Sequence, residues 1–499
     1  MNASCMRRYF AISMKQLNHA APIPGFGFNS HQSLPRQSLS TKSIVEHLDN
    51  YIVGQHEAKR ALSIAIIDRF RRMRITDEEM RKAIIPSNIL LLGPTGCGKT
   101  EVARRLARKV EAPFVKVVAT KYSEVGFVGE DTSNMIEELA EQAYQDEAAL
   151  LRNEVLHEAR IAAIEEVTNA FMTTKIAMKQ SLDRETARSM VGNGLVDDIE
   201  IEIESSLLDY AISKEREAVP NASYANDDVT DLPIMNARNL LSTRNFNRVG
   251  ASHRSLPRPS WRVVSVAQAL RAITDRGAGL LTKSREFELK DRAKKAVEER
   301  GIVFIDEFDK MISEAGEESS SFNQKRRGVE KELLTLIEGT VVQTKKLGPI
   351  STDHVIFICA GAFSCVSPKQ IMPELQGRLP IRCELQPLVE DDFVRILENV
   401  QYSLPLVQRE LMLVDGVDIQ FTHCGIIEIA RAAVEMNREL VNTGARRLTT
   451  VMGIVMEELK FDSELFTGKM VEINAEFVQK RVASIMGKTR NEDLKRYIL

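Results

Sequence analysis

The pattern of apolar and polar residues separates an N-terminal stretch without periodicity from a long folded body. Apolar residues first recur at helical spacing from Ser43, and Ser43 with Glu46 three residues later predicts a capped helix start. Wholly apolar runs at 89–92, 302–305 and 355–359 predict strands buried on both faces, as strands of parallel sheets are. The pattern therefore indicates an α/β fold with a largely parallel sheet.

Between and after these strands the pattern is mostly helical. Apolar residues recur every three or four positions at 146–156, 424–433 and 448–459. Strict alternation at 199–204 predicts a strand with one acidic face, and the polar segment 221–258 predicts a loop. The acidic face is either simply solvated or a surface for a protein partner.

Length, composition and charge exclude several classes of protein. The 499 residues suggest about three domains. The net charge of the chain is −3. Residues 1–44 carry five basic residues and no acid, a charge of +5, so the rest of the chain carries −8. An acidic body does not favour nucleic-acid binding, which needs concentrated Lys and Arg. No apolar run approaches the ~20 residues of a membrane-spanning helix, and the scattered cysteines indicate neither zinc nor disulfides.

The acid-free N-terminal segment has the composition of an organellar transit peptide, rich in Arg and Ser and interrupted by prolines. It predicts import into the mitochondrial matrix. The alternative is a tail without function.

A phosphate-binding loop is the strongest chemical signal. The apolar run 89–92 leads directly into Gly-Pro-Thr-Gly-Cys-Gly-Lys-Thr at 93–100, and a helical pattern follows. This strand–loop–helix context is the one in which backbone N–H groups and a helix N-terminus hold phosphates. We expect a lysine on the β- and γ-phosphates of ATP and a threonine hydroxyl on Mg²⁺. The predicted nucleotide-binding residues here are Gly96, Cys97, Gly98, Lys99, Thr100 and Glu101.

Two carboxylates end the second apolar run. Asp306 and Glu307 follow Ile302–Ile305, at the end of a strand where ligands bind in open α/β sheets. We expect Asp306 to hold Mg²⁺ through water, and Glu307 to orient or deprotonate the attacking water. Lys99 and Asp306 lie 207 positions apart, far more than strand–helix–strand units need. More than a hundred residues must therefore form an insertion.

Together these motifs resemble the HslU family of AAA+ unfoldases, from about Ile44 to Leu499. The resemblance implies an α/β AAA+ module, a mostly helical inserted domain and a small helical C-terminal domain. It also implies a homohexamer that unfolds tagged or unfolded proteins with ATP and delivers them to an HslV-like peptidase. The implied division is 1–44 transit segment, 45–144 and 290–387 AAA+ large domain, 145–289 insertion, and 388–499 C-terminal domain.

The same resemblance assigns further site residues. Val53 would contact adenine, although its segment is also an ordinary helix start. Glu374 would lie near the nucleotide and Arg378 would reach a neighbouring subunit's γ-phosphate, which requires a ring. Arg446 would report nucleotide state to the C-terminal domain, with Arg447 the weaker candidate.

Two segments would contact proteins. Phe127 and Val128, in the motif Gly-Phe-Val-Gly, resemble the pore loop that grips substrate, and the alternative is a locally packed turn. The apolar end Tyr497, Ile498 and Leu499 resembles the tail that activates the peptidase, and the alternative is that it covers the domain's own core. Two other functions remain open on the same core: a nucleic-acid motor, and a scaffold that binds ATP without hydrolysing it.

Overall fold

The computed structural model describes residues 39–123, 131–180, 182–204, 261–312 and 321–489. Helices and strands follow one another throughout this part of the chain. The helices are α1 (Thr41–Asp49), α2 (His56–Met73), α3 (Glu78–Ala83), α4 (Lys99–Lys109), α5 (Thr120–Ser123), α6 (Asn134–Met172), α7 (Lys175–Gln180), α8 (Arg184–Gly192), α9 (Val266–Ser284), α10 (Glu286–Arg300), α11 (Ser321–Glu338), α12 (Pro373–Arg378), α13 (Glu390–Glu398), α14 (Leu404–Val414), α15 (His423–Glu439), α16 (Arg446–Phe461), α17 (Ser463–Phe466) and α18 (Ala475–Thr489). The strands are β1 (Ile89–Leu92), β2 (Phe114–Val118), β3 (Glu200–Glu204), β4 (Trp261–Ser265), β5 (Ile302–Asp306), β6 (Val341–Thr344), β7 (Gly348–Ser351), β8 (Ile356–Gly361), β9 (Ile381–Glu384), β10 (Asp418–Phe421) and β11 (Met470–Ile473).

The described residues form two compact units. The first unit contains residues 39–110, 362–364 and 381–489, and the second contains the described residues of 111–361 and 365–380. In the first, β1 pairs in parallel with β9, with Ile89 opposite Ile381. Its C-terminal helices α13 to α18 and the parallel pair β10–β11 share a separate core. The helices predicted at 424–433 and 448–459 are confirmed, as α15 and α16.

The first helix begins earlier than the sequence indicated. Ser40, not Ser43, is the N-cap of α1. The Ser43 N–H donates to Ser40 Oγ over 3.1 Å, and the Ser40 N–H donates to Ser43 Oγ over 3.2 Å. The prediction of Ser43 as the N-cap was wrong because Ser40 and Ser43 form the capping box between them. Ser43 therefore lies inside the first turn.

The second unit contains the other buried strands. β5 pairs in parallel with β2 on one side and with β8 on the other, with Phe304 opposite Ile358 and Lys116. All of β8 and the first four residues of β5 are buried, which confirms the predicted apolar strands. This arrangement carries the carboxyl end of β5, and thus Asp306, to one edge of a parallel sheet.

A single helix of 39 residues, α6, runs through the predicted domain boundary at 145. Its first turns bury Ile136, Leu139 and Ala143. In its later turns, from Leu151 to Val167, every fourth residue is buried, which is the spacing of a helix that packs against other helices. Leu151 and Val155 pack with Leu289 of α10. Ion pairs of 2.9–3.1 Å, from three arginines of 285–300 to glutamates of α6, reinforce this packing. The domain division itself stays a prediction.

The acidic strand is confirmed as β3, paired antiparallel with β4. Glu200 and Glu202 are exposed while Ile201 and Ile203 are buried, as the alternation predicted. The predicted loop at 221–258 lies outside the described residues.

In the part of the chain that the structure describes, no helix is long and apolar enough to cross a membrane. None of its cysteines forms a disulfide.

Candidate functional site

The phosphate loop connects β1 to α4 in the first unit. Gly98 is the N-cap of α4, with a left-handed backbone (φ +100°), so that the helix begins at Lys99. The Lys99 side chain is buried, and its Nζ donates to the carbonyl oxygens of Gly93 (2.6 Å) and Pro94 (2.8 Å). The ammonium is thus held over the loop, beside the helix start that favours an anion.

The neighbouring loop residues have different surroundings. Cys97 is buried, and burial raises the pKa of its thiol, so that it remains protonated and acts as a packing residue. Thr100 lies half-buried in the first turn of α4. The Glu101 carboxylate accepts hydrogen bonds from Arg104 (3.0 Å) and Arg105 (2.7 Å) one turn further on. Its predicted nucleotide contact stays a prediction.

A cavity of about 250 Å³ lies beside the loop, also within the first unit. Its lining includes Gly96 of the loop, Leu388 and Phe393 after β9, and Asn437 of α15. The lining also includes the charged Glu390 and Arg438, so the cavity offers both apolar and polar contacts to a small molecule. The phosphate loop therefore opens onto a space that the C-terminal helices help to enclose.

The segment predicted to contact adenine is fixed to this lining. Val53 is half-buried and follows the buried Ile52. Gln55 has a left-handed backbone (φ 56°), uncommon for a residue with a side chain. Its Nε2 donates to the Gln386 carbonyl oxygen (2.8 Å), and its Oε1 accepts from the Gln386 N–H (3.0 Å). These two bonds tie the segment to the chain that lines the cavity.

A buried lysine supports the same segment. Lys59 is 1% exposed, and its Nζ donates to the Ile52 carbonyl oxygen and to Asp49 Oδ1, each over 2.6 Å. The Arg105 guanidinium lies 4.0 Å from the centre of the Tyr51 ring, which joins the segment to α4. Lys59 was not among the residues predicted from the sequence, where its one signal is a lysine among the apolar positions of α2.

The turn before α16 contacts the phosphate loop directly. The Ala445 N–H donates to the Gly96 carbonyl oxygen over 3.1 Å. Gly96 has φ +76°, and a Cβ on it would overlap the Thr443 carbonyl oxygen, so glycine is required there. Arg446 is exposed as the first residue of α16, and no described residue pairs with its guanidinium.

The predicted carboxylates lie together at the end of β5 in the second unit. Asp306 Oδ2 is 2.7 Å from Lys116 Nζ of β2, and Asp306 Oδ1 accepts the N–H of Glu307 over 3.1 Å. Glu307 is exposed with a left-handed backbone (φ 55°). Such strain in a residue with a side chain costs about 1–3 kcal/mol and concentrates at functional sites. Lys116 was not among the residues predicted from the sequence, where its signal is a single cation inside an apolar strand.

Arg378 and Glu374 lie on the short helix α12, also in the second unit. Arg378 Nη2 is 3.2 Å from Glu338 Oε1 of α11, and both side chains are about two-fifths exposed. An exposed pair of this kind contributes at most about 1 kcal/mol. The ion pair with Glu338 by itself is therefore only a weak restraint on the guanidinium. Glu374 is exposed in the first turn.

The predicted protein-contacting residues Phe127, Val128, Tyr497, Ile498 and Leu499 lie outside the described residues. The roles assigned to all the site residues from the sequence stay predictions.

Comparison with known proteins agrees with this geometry. Residues 88–202 match an AAA domain model of the dynein-related subfamily, and residues 282–382 match one of the Cdc48 subfamily. The ATP-dependent protease ATPase subunit HslU of Persephonella marina is 38% identical in an alignment of 481 residues, which covers 93% of this chain and 99% of that protein. The matched AAA segments contain the phosphate loop and Asp306 with Glu307. The chain combines an α/β AAA+ module and these motifs with similarity to HslU over nearly its whole length. It therefore belongs to the HslU family of ATPases.

Proposed function

We propose that this chain hydrolyses ATP to unfold proteins, threads them into an HslV-like peptidase and activates that peptidase. The relative matched over 99% of its length is named as the ATPase subunit of an ATP-dependent protease. The observation that carries the hydrolytic part is Glu307, held in a strained left-handed backbone directly after Asp306. Its exposed carboxylate is the group that hydrolysis requires and that nucleotide binding alone does not.

The phosphate loop and β5 supply the chemistry. Lys99 would neutralise charge on the β- and γ-phosphates. Thr100 and, through water, Asp306 would hold Mg²⁺, because hydroxyl and carboxylate oxygens are the hard ligands that this ion prefers. Asp306 fits this role, since its carboxylate is only partly buried and already accepts from the cation of Lys116. Glu307, which is exposed, would orient or deprotonate the attacking water.

Arg378 is proposed to act across a subunit interface. A head-to-tail contact that closes gives a ring, and the family resemblance implies six subunits. A ring of mixed variants tests this: Arg378→Ala subunits keep their own phosphate loops, and Lys99→Ala subunits keep their arginines. Mixing the two inactive variants should restore ATPase activity at shared sites. No recovery on mixing would assign Arg378 to its own subunit or to the ion pair with Glu338.

Phe127 and Val128 are proposed to grip the unfolded substrate, and Tyr497, Ile498 and Leu499 to insert into the peptidase. An aromatic ring grips by apolar area and needs no hydroxyl. An apolar tail that carries a terminal carboxylate suits a pocket between partner subunits.

A nucleic-acid motor is the rival on the same core. Its ATPase would be stimulated by DNA or RNA, whereas the proposed unfoldase would be stimulated by unfolded protein. The charge of −8 outside the first 44 residues favours the unfoldase.

Glu307→Gln separates hydrolysis from binding. The variant should keep ATP binding and lose about 10²–10⁴-fold in turnover, because only the water-activating carboxylate is neutralised. Lys99→Ala should instead weaken nucleotide binding. Turnover by Glu307→Gln within a few-fold of the parent would refute the role of Glu307. ATP binding without turnover by the parent chain itself would instead support the scaffold function.

We further propose that residues 1–44 direct the protein to the mitochondrial matrix, since they are basic, acid-free and rich in hydroxyl residues. A fusion of these residues to a fluorescent protein tests this. A cytosolic reporter would refute it.

A further inference from the structure

The chain between α15 and α16, residues 440–445, forms a turn organised by one side chain of α15. Asn437 Oδ1 accepts the N–H of Thr443 over 3.1 Å, and Asn437 Nδ2 donates to the Gly444 carbonyl oxygen over 3.1 Å. One amide group thus satisfies both a donor and an acceptor of the turn. The turn is therefore fixed relative to α15 by Asn437.

Arg447 completes this arrangement from the other side. Its side chain is 3% exposed, and its Nη2 donates to the Val441 carbonyl oxygen over 2.7 Å while its Nε donates to Asn437 Oδ1 over 3.3 Å. Arg446 and Arg447 are the first two residues of α16, where the helix dipole disfavours cations. Arg447 at this end does not serve helix stability, so its buried contacts must explain it.

The turn held in this way is the one that contacts the phosphate loop. Beside the hydrogen bond from Ala445 to Gly96, a Cβ on Gly444 would lie 2.6 Å from the Thr95 carbonyl oxygen. Gly444 also has φ +59°. The two backbones therefore meet with no side chain between them, and a shift of the turn displaces both this contact and Arg446.

We propose that Asn437 and Arg447 are positioning residues of the nucleotide site: they hold the turn 440–445 against the phosphate loop and so set the position of Arg446. The inference deepens the proposed ATPase function and rests on it. Asn437 also lines the cavity beside the loop, so that the network and the nucleotide share one wall.

Steady-state ATPase kinetics of Asn437→Ala test the proposal in the full-length protein. Loss of the hydrogen bonds that fix the turn should lower kcat/KM for ATP roughly tenfold, mainly by raising KM. Arg447→Lys serves as a second variant, because lysine keeps the charge but cannot make both bonds in the fixed geometry of a guanidinium. It should lower kcat/KM several-fold in the same direction.

Asn474→Ala is the matched control. Asn474 lies in the same domain, where its Oδ1 accepts the Phe477 N–H at the start of α18 over 2.9 Å. Its loss should lower the melting temperature and leave KM unchanged. A double variant with Arg446→Ala separates positioning from a general structural role: Asn437→Ala should add little to the loss that Arg446→Ala causes alone.

The proposal is overturned if Asn437→Ala behaves like Asn474→Ala, or if the losses of Asn437→Ala and Arg446→Ala multiply. Failure of the proposed function itself looks different, since Lys99→Ala and Glu307→Gln would then retain turnover.

Discussion

Replacing Lys59 by methionine removes one atom, Nζ, that holds the segment 51–55 to α2. Methionine has nearly the length of lysine and leaves little empty space among the apolar neighbours. The change therefore isolates the two hydrogen bonds of 2.6 Å to Ile52 and Asp49.

The cost follows from the surroundings of the two acceptors. Ile52 is 6% exposed, and a buried carbonyl oxygen left without its donor costs about 1–3 kcal/mol. The Asp49 side chain is 47% exposed, so water replaces the lysine there and the loss is at most about 1 kcal/mol. We expect about 2 kcal/mol in total, which is roughly a 30-fold rise in the local opening equilibrium.

Amide hydrogen exchange measures this opening where it occurs. A single melting curve is less informative, because a chain of several units need not unfold in one transition. Amides of 52–66 should exchange roughly 30-fold faster in Lys59→Met. The control is Lys82→Met, since Lys82 pairs with Glu78 over 3.2 Å while both side chains are about two-thirds exposed. Its exchange should stay within about twofold of the parent. Exchange of Lys59→Met within about threefold of the parent would refute the reasoning.

Three further predictions concern substrate degradation, peptidase activation and ATP turnover. Phe127→Ala should keep ATP turnover and abolish degradation of a folded substrate, while Phe127→Tyr should be tolerated; equal degradation by Phe127→Ala and the parent would make Phe127 a packed turn residue. Deletion of residues 492–499 should leave ATPase activity intact and abolish peptidase activation, whereas loss of the ATPase would make the tail part of the core. Arg378→Lys should lower kcat about 10³-fold, because lysine loses the planar fork that stabilises transferring phosphate. Its control, Glu338→Gln, removes only an exposed ion pair and should stay within about threefold of the parent; equal losses in the two variants would refute a role at phosphate.

The elements that the sequence predicted well are those whose signals are local. The strand, loop and helix at 89–109 combine a buried apolar run with a motif whose spacing reflects backbone geometry. The strand that ends at Asp306 and the helices α15 and α16 likewise follow from periodicity alone.

What the sequence did not reveal depends on partners elsewhere in the chain. Gln55 bonds to Gln386, 331 positions away, and no local pattern encodes that pairing. The Lys116 side chain reaches Asp306 only because β2 pairs with β5. The sequence also did not reveal that a single helix, α6, continues through the predicted boundary at 145.

That continuity has a mechanical consequence. At 1.5 Å per residue, the 39 residues of α6 form a rod of about 58 Å. A rod without a break has no hinge at residue 145, so the base of the helix and its far end must turn together. A tilt of about 5° at Asn134 would sweep Met172 through about 5 Å, given that length. The helix therefore acts as a lever, which converts a small rotation at Asn134 into a large displacement at Met172.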